Sequence, residues 1–332
     1  MCNVAEVTAT MVAPSEVRPE VFPTERLLPT GVPRPEIRGA LRRIDDAGNL
    51  RTVAALWAWV IAMTAVAVWW GNPIGYVVAF VLMGPVYARF AILMHESAHK
   101  LLFTNRRLND WVGAWLIAYP AWTPVGLYRR VHFAHHREEF GPDEPDMAFY
   151  GGYPCTRRKL RQRLTRDAVG ISGWKNFTKL VGAVRYPKVR PVVLRILAVQ
   201  AVLWAGSWAL TGEVWLYPLL WWLPWMTQWR VLNRLRSIAE HGGLEKSKDR
   251  RVTTHNVRQS LLARFWLVPY NTGWHLAHHV DMGIPWRNLP RFHEELVRAG
   301  YVTEGLTYPS YRALWAALAS APPSPTPNPA TA

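Results

Sequence analysis

Eight of the eleven histidines in this 332-residue chain stand in clusters with helical spacing, and a ninth belongs with them by position. H-E-S-A-H carries His95 and His99, H-F-A-H-H carries His132, His135 and His136, and H-L-A-H-H carries His275, His278 and His279. His241 stands alone in A-E-H-G-G. Positions i, i+3 and i+4 of a helix share a face, so each H-x-x-H-H string aims three imidazoles at one point. The first cluster adds two more from i and i+4. Imidazole suits iron, zinc, copper and nickel. Eight or nine such ligands are about double what one tetrahedral ion takes, so the pattern predicts a two-metal site. His255 and His293 fall outside it and read as structural.

Several polar residues lie beside these ligands in sequence. Glu96, Asp143, Asp146, Glu240 and Asp281 are candidates to accept the free ring N–H of a ligating histidine. Asn271, one helical turn before His275, is a candidate to orient a ligand or hold a water. No catalytic residue is predicted beyond the metal ligands. H-E-S-A-H also matches H-E-x-x-H, in which two histidines hold zinc and the glutamate is the base of a metalloprotease. A membrane zinc protease is therefore an alternative, but it leaves both H-x-x-H-H strings without a purpose.

The scaffold must bring these clusters together. Half the residues are apolar while mean hydropathy is near zero, so membrane spans are balanced by a polar portion. Residues 1–50 hold six prolines and are expected to form a mostly extended arm, with a short helix over Pro35–Asn49. A membrane domain is expected over 51–318, with spans at 52–70, 74–94, 191–210 and 214–229, and a disordered tail over 319–332. Arg89, near the end of the second span, is expected to snorkel to the interface. Trp111–Gly126 is apolar but broken by Pro120 and Pro124, and is taken as interfacial. If it crossed, the first two clusters would be on opposite sides of the membrane.

Charge sets the expected topology. Outside the spans, residues 1–51 carry 7 Lys and Arg, residues 95–190 carry 17, and residues 230–332 carry 13. The turns at 71–73 and 211–213 carry none. By the positive-inside rule the three basic segments are cytoplasmic. The expected fold is thus all-α: four transmembrane helices in two hairpins, with a helical cytoplasmic cap (95–190 and 230–318) holding the two metals. Both termini and the active site would face the cytoplasm. The net charge of +16 implies an acidic partner or anionic lipids rather than nucleic acid, because the charge lies on a membrane-proximal face. Two cysteines, Cys2 and Cys155, are too few for a cysteine-held iron–sulfur cluster.

In this arrangement the chain resembles the integral-membrane fatty acid desaturase/hydroxylase superfamily from about Thr52 to Tyr308. H-F-A-H-H followed by P-D-E-P-D resembles its second histidine box, N-T-G-W-H-L-A-H-H its third, and R-S-I-A-E-H-G-G the segment with a solitary histidine between spans and third box. W-R-N-L-P-R-F-H, with His293, resembles the stretch after the third box. The resemblance implies two non-haem irons, held by the nine clustered histidines, that use O2 and two electrons to remove hydrogens from an unactivated acyl chain. It implies a desaturase acting on an acyl lipid or acyl thioester, or alternatively a hydroxylase or ketolase. Some relatives place an Asn four residues before the solitary histidine, holding a water on one iron; here that position is Ser237. No fused cytochrome b5 string, ferredoxin cysteine set or dinucleotide-binding fingerprint is present. The expected electron donor is a separate ferredoxin or similar acidic carrier with its reductase.

Overall fold

The computed structural model describes residues 10–321. Cys2, the start of the expected arm and most of the expected tail lie outside these residues. Residues 10–34 run over the surface before α1 (Pro35–Leu41), and α2 follows at Asp46–Trp70. A tight turn at Gly71, whose φ of 62° suits glycine, leads through the Asn72 cap and Pro73 into α3 (Pro73–Ala98). The short α4 (Arg106–Val112) continues as a π-helical turn, Gly113–Ala118, before α5 (Val125–Glu138). Next come α6 (Met147–Tyr150), α7 (Arg157–Ala168), α8 (Ile171–Gly182) and α9 (Arg190–Thr211).

Among the described residues, three helical segments are long and apolar enough to cross a membrane: Pro35–Trp70, Pro73–Ala98 and Arg190–Thr211. The expected fourth span, 214–229, is not one such helix. It consists of a π-helical stretch at Pro218–Trp222, α10 (Leu223–Met226) and a break at Thr227 before α11 (Gln228–His241). Pro218 and Pro224 each lack the N–H that a regular α-helical ladder needs, so the ladder widens there. The remaining elements are α12 (Arg250–Thr253), β1 (Asn256–Val257), α13 (Leu261–Trp266), α14 (His275–Val280), α15 (Leu289–Arg298), β2 (Thr307–Tyr308) and α16 (Tyr311–Leu318); β1 and β2 pair in parallel.

One core packs α2, α3 and α9 together through Leu56, Val60, Met83, Phe90, Ile196 and Trp221. The outer faces of the same helices expose Ile61, Trp69, Val202 and Leu210. Exposed apolar side chains on membrane-length helices suit contact with lipid or with a partner. Arg89, expected at the interface, is met by protein groups. Its Nη1 donates to the carbonyls of Pro85 and Phe265, each at 2.9 Å, and its guanidinium stacks 4.6 Å from the Trp59 ring. The carbonyls and ring take the place of interfacial water.

The expected interfacial segment is held by side chains from the long helices. Trp57 Nε1 donates to the Leu116 carbonyl, Gln200 Nε2 to those of Tyr119 and Pro120, and Trp221 Nε1 to that of Pro120. These donors satisfy carbonyls that the irregular backbone frees. Two smaller cores lie at the other end of the molecule. One joins Leu276 and Phe292 to the arm residues Val21 and Leu27, and the other joins Ile238 to Leu314 and Leu318.

Candidate metal centre

The four histidine-bearing helix ends meet between these cores. His95 lies in the last turn of α3 and His99 caps it. α5 supplies His132, His135 and His136, α11 ends on His241, and α14 supplies His275, His278 and His279. All nine are buried.

Their ring nitrogens form two groups. His95, His99, His132, His136 and His278 are one set whose ligand atoms lie within 4.8 Å of one another. Within it, Nε2–Nε2 separations are 3.1 Å for His95–His278, 2.9 Å for His99–His132, and 3.1 Å for His132–His136 and His136–His278. His135, His241 and His279 converge likewise. His275 joins them at 3.1 Å from His241 and 3.0 Å from His279. Two imidazole nitrogens about 2.1 Å from one ion and at right angles to each other are about 3.0 Å apart, whereas tetrahedral ligands stand about 3.4 Å apart. The observed spacing suits a higher-coordinate ion than a closed tetrahedral zinc.

The donor set itself fits metal. Burial, with neighbouring histidines adding to it, lowers the basicity of His132, His136, His275, His278, His279 and His241 well below normal, and burial takes His99 down to about 3. These rings are neutral. His135 is the exception: burial pulls it down, but its bond to Glu144 and the nearby carboxylates leave the net shift upward. An unmet buried polar atom costs about 1–3 kcal/mol. Nine facing lone pairs would cost as much as the whole net stability of a domain, about 5–15 kcal/mol, unless cations lie among them.

The opposite ring nitrogens settle which atom faces inward. His241 Nδ1 donates to the Thr253 carbonyl at 2.8 Å, and His279 Nδ1 to Glu139 at 2.6 Å. His135 Nδ1 donates to both Glu144 oxygens at 3.1 Å. Each bond puts the proton on Nδ1 and leaves Nε2 free as a ligand. Glu139 and Glu144 were not singled out from the sequence. Glu144 is the middle residue of P-D-E-P-D, while the expectation fell on Asp143 and Asp146 beside it.

The expected outer partners divide. Glu240 Oε1 lies 3.6 Å from His275 Nδ1 and holds Arg236 at 2.8 Å. Asp146 groups with His135 and Glu144. Glu96 Oε1 lies 3.4 Å from His95 Nδ1, while its other oxygen accepts the Trp286 N–H at 3.2 Å. Asp143 is exposed and makes no side-chain hydrogen bond or ion pair among the described residues. Asn271 donates to the Trp286 carbonyl rather than to a histidine. Asp281 is gripped by Arg38 and Arg42 of the N-terminal region. Ser237 Oγ donates to the Asn233 carbonyl at 2.8 Å and so is turned along its own helix. His255 bonds the Gly242 carbonyl, and His293 stacks on Trp274, both outside the cluster.

Two further contacts fix the first cluster against the second. Arg129 of α5 donates to the carbonyls of Ala98 and Ser97 at 2.8 and 2.9 Å, satisfying the open end of α3. A cavity of about 420 Å³ opens beside the centre, with His95, His132, His135, His241 and His275 in its wall.

Among the described residues, three membrane-length helices thus accompany a buried nine-histidine cluster suited to metal. The sequence model described as "Fatty acid desaturase" matches residues 71–312, and the chain belongs to that family. It is similar to dihydrorhizobitoxine desaturase of Bradyrhizobium elkanii, at 28% identity over 241 residues, covering 65% of each chain. It is also similar to zeaxanthin 4-ketolase of Chlamydomonas reinhardtii, at 27% identity over 158 residues, covering 42% of this chain and 35% of the relative. The match thus covers less than two thirds of either relative's length. Both relatives are oxidising enzymes by name, a desaturase and a ketolase.

Proposed function

We propose that the protein is an O2-dependent membrane desaturase of fatty acyl chains, with two irons held by His95, His99, His132, His136 and His278 on one side and His135, His241, His275 and His279 on the other. The observation that carries this reading is the convergence of nine buried imidazoles into sets of five and four. The irons would supply the oxidising chemistry for C–H cleavage. The overall balance is –CH2–CH2– plus O2, two electrons and two protons giving –CH=CH– and two waters.

The chain's own residues position and insulate. Glu139, Glu144 and the Thr253 carbonyl hold three ligating rings in orientation. The cavity wall of Ala91, Met94, Leu127, Val131 and Phe149 offers an apolar bed that fixes which carbon reacts. The substrate class follows the family, as an acyl lipid or an acyl thioester. Electrons come from a separate acidic carrier such as a ferredoxin, with its reductase. The exposed Arg157, Arg158, Lys159, Arg161 and Arg166 of α7 are its docking face. α7 packs on the iron-bearing α11, where Arg234 pairs with the buried Asp167. The protein is a multi-pass protein of the cell membrane, with the metal centre and both termini in the cytoplasm.

A ketolase or hydroxylase outcome is the second reading, favoured by the similarity to a ketolase. A zinc protease fits poorly, because five imidazoles meet where it needs two and a third ligand, and Glu96 is absent from the cavity wall. Metal analysis of the purified protein tests the proposal. About two irons per chain, with O2-dependent loss of hydrogen from a lipid acyl chain seen by mass spectrometry, support it. One zinc per chain sinks it.

A further inference from the structure

We propose that the cavity beside the histidines receives a substrate with a carboxylate a few bonds from the oxidised carbon, and that Arg236 is the group that holds this carboxylate. The inference rests on reading the centre as an oxidising metal site, and replaces the acyl lipid or thioester of that reading with a free acid.

One wall of the cavity is a single face of α11. Trp229, Asn233, Arg236, Ser237, Glu240 and His241 all line it, at spacings that return to one side of a helix. Arg236 lies five residues before His241, roughly 7 Å along the axis. Its side chain is only 16% exposed. Nη1 is held by Glu240, but the buried Nε has no hydrogen-bond partner in the protein. A guanidinium is a planar fork of donors that matches a carboxylate edge to edge. A neutral acyl chain passing this point would leave the Nε donor dry, whereas a carboxylate satisfies it.

The surroundings agree. Ser237, the neighbour on the same face, gives its hydroxyl proton to the Asn233 carbonyl. Asp146 and Glu240 also line the cavity, but Glu240 is already paired with Arg236. Imidazole ligands carry no negative charge, so metal ions held by them would keep their positive charge and favour an anion nearby. The volume of about 420 Å³ lies toward the small end of ligand pockets, about 300–1,000 Å³. A compact acid with its head inside suits this space better than a long chain whose headgroup stays distant.

The test uses full-length, iron-loaded protein in detergent. Calorimetric binding is measured for unbranched monocarboxylates from hexanoate to dodecanoate, each against its methyl ester. At least one acid should bind about tenfold or more tighter than its ester. Arg236→Gln should remove most of that preference, and Arg236→Lys should keep part of it, because the charge stays while the fork is lost. Acids that bind no better than esters overturn the proposal. So does a preference that survives Arg236→Gln, as when the acid ligates metal directly. If Arg236→Gln does not fold, by iron content and thermal unfolding, an unchanged preference in Arg236→Lys also overturns it. The underlying reading fails separately: Arg236-dependent binding with no O2-dependent product from any compound removes the oxidising centre. Oxidation of esters and acids alike removes only the role of Arg236.

Discussion

Glu139 and His279 are joined across 2.6 Å, and the same carboxylate oxygen lies 2.6 Å from Arg250 Nη1. Glu139 closes the second histidine helix, and His279 lies on the third. One carboxylate therefore ties two ligand-bearing helices to each other and to α12. Burial raises the Glu139 carboxyl while Arg250 opposes the rise, so the arginine is part of what keeps it charged. Glu139→Gln keeps an acceptor but loses the charge. Iron affinity should fall about 10–100-fold, read as iron retained against a chelator. Affinity within twofold of wild type would exclude this role.

The two histidine sets should respond differently to loss of one ring. His278→Ala takes one of five convergent nitrogens, and His135→Ala takes one of four. Both should abolish turnover, with His135→Ala retaining about one iron per chain and His278→Ala leaving more of the metal in place. Both should remain in the membrane fraction. Normal turnover in either variant would contradict the ligand assignment.

Gly113 lies where the π-helical turn crosses α3. A Cβ there would meet Ser97 Oγ at 1.8 Å, inside the H-E-S-A-H run. Gly113→Ala should cost about 1–3 kcal/mol as a fall in thermal midpoint, with reduced iron content because His95 and His99 flank the strained residue. Adding Ser97→Gly should restore both. Failure of the second change to rescue would place the damage elsewhere.

The N-terminal region latches onto the third box. Asp281, just after His279, has a side chain 2% exposed and is held by Arg38 and Arg42, which are 38% and 40% exposed. Replacing both arginines with alanine leaves a buried carboxylate unpaired. The expected loss is about 1–3 kcal/mol, below the figure for a fully buried pair because the arginines are partly solvated. Thermal unfolding in detergent measures it.

A second latch should respond to acid. Arg26 holds both oxygens of Glu295 at 2.7 and 2.9 Å, and this bond keeps the carboxyl below its ordinary value of 4.5. A lowered carboxyl contributes stability above its unfolded value and loses it as pH falls through the folded one. Amide exchange at Thr24–Leu28 should therefore be slower in wild type than in Arg26→Ala at neutral pH. The two should converge as the solution is acidified below 4.5. A difference that persists in acid would remove Glu295 as the cause.

The nine histidines were legible in the sequence because helical spacing is written directly in residue order. What holds them was less so, since Glu139 meets His279 across 140 positions and nothing local announces the pair. Glu144 is a different case: its acidic–proline run was noticed, but a turn can present any of three carboxylates, and only its closed shape selects the middle one. Hydropathy marked 214–229 as one span by its apolar content, and does not register the π-helical stretch at Pro218–Trp222 or the break at Thr227. The partners of Arg89 were not legible for a different reason. Its position near a helix end suggested water, while the partner carbonyl at Phe265 comes from far along the chain.

α11 acts as a phase-locked shaft. Its cavity face runs from Trp229 to His241, and each residue turns it by about 100° while advancing about 1.5 Å. A single insertion between Arg236 and His241 would swing the ring about a quarter turn off the second set while leaving Arg236 in place. The smallest step that restores the angle to within about 20° is seven residues, which shifts the ring about 10 Å along the axis. Length changes here are therefore forbidden in both rotation and reach, and variation in chain length must be taken up in the loops at either end of the shaft.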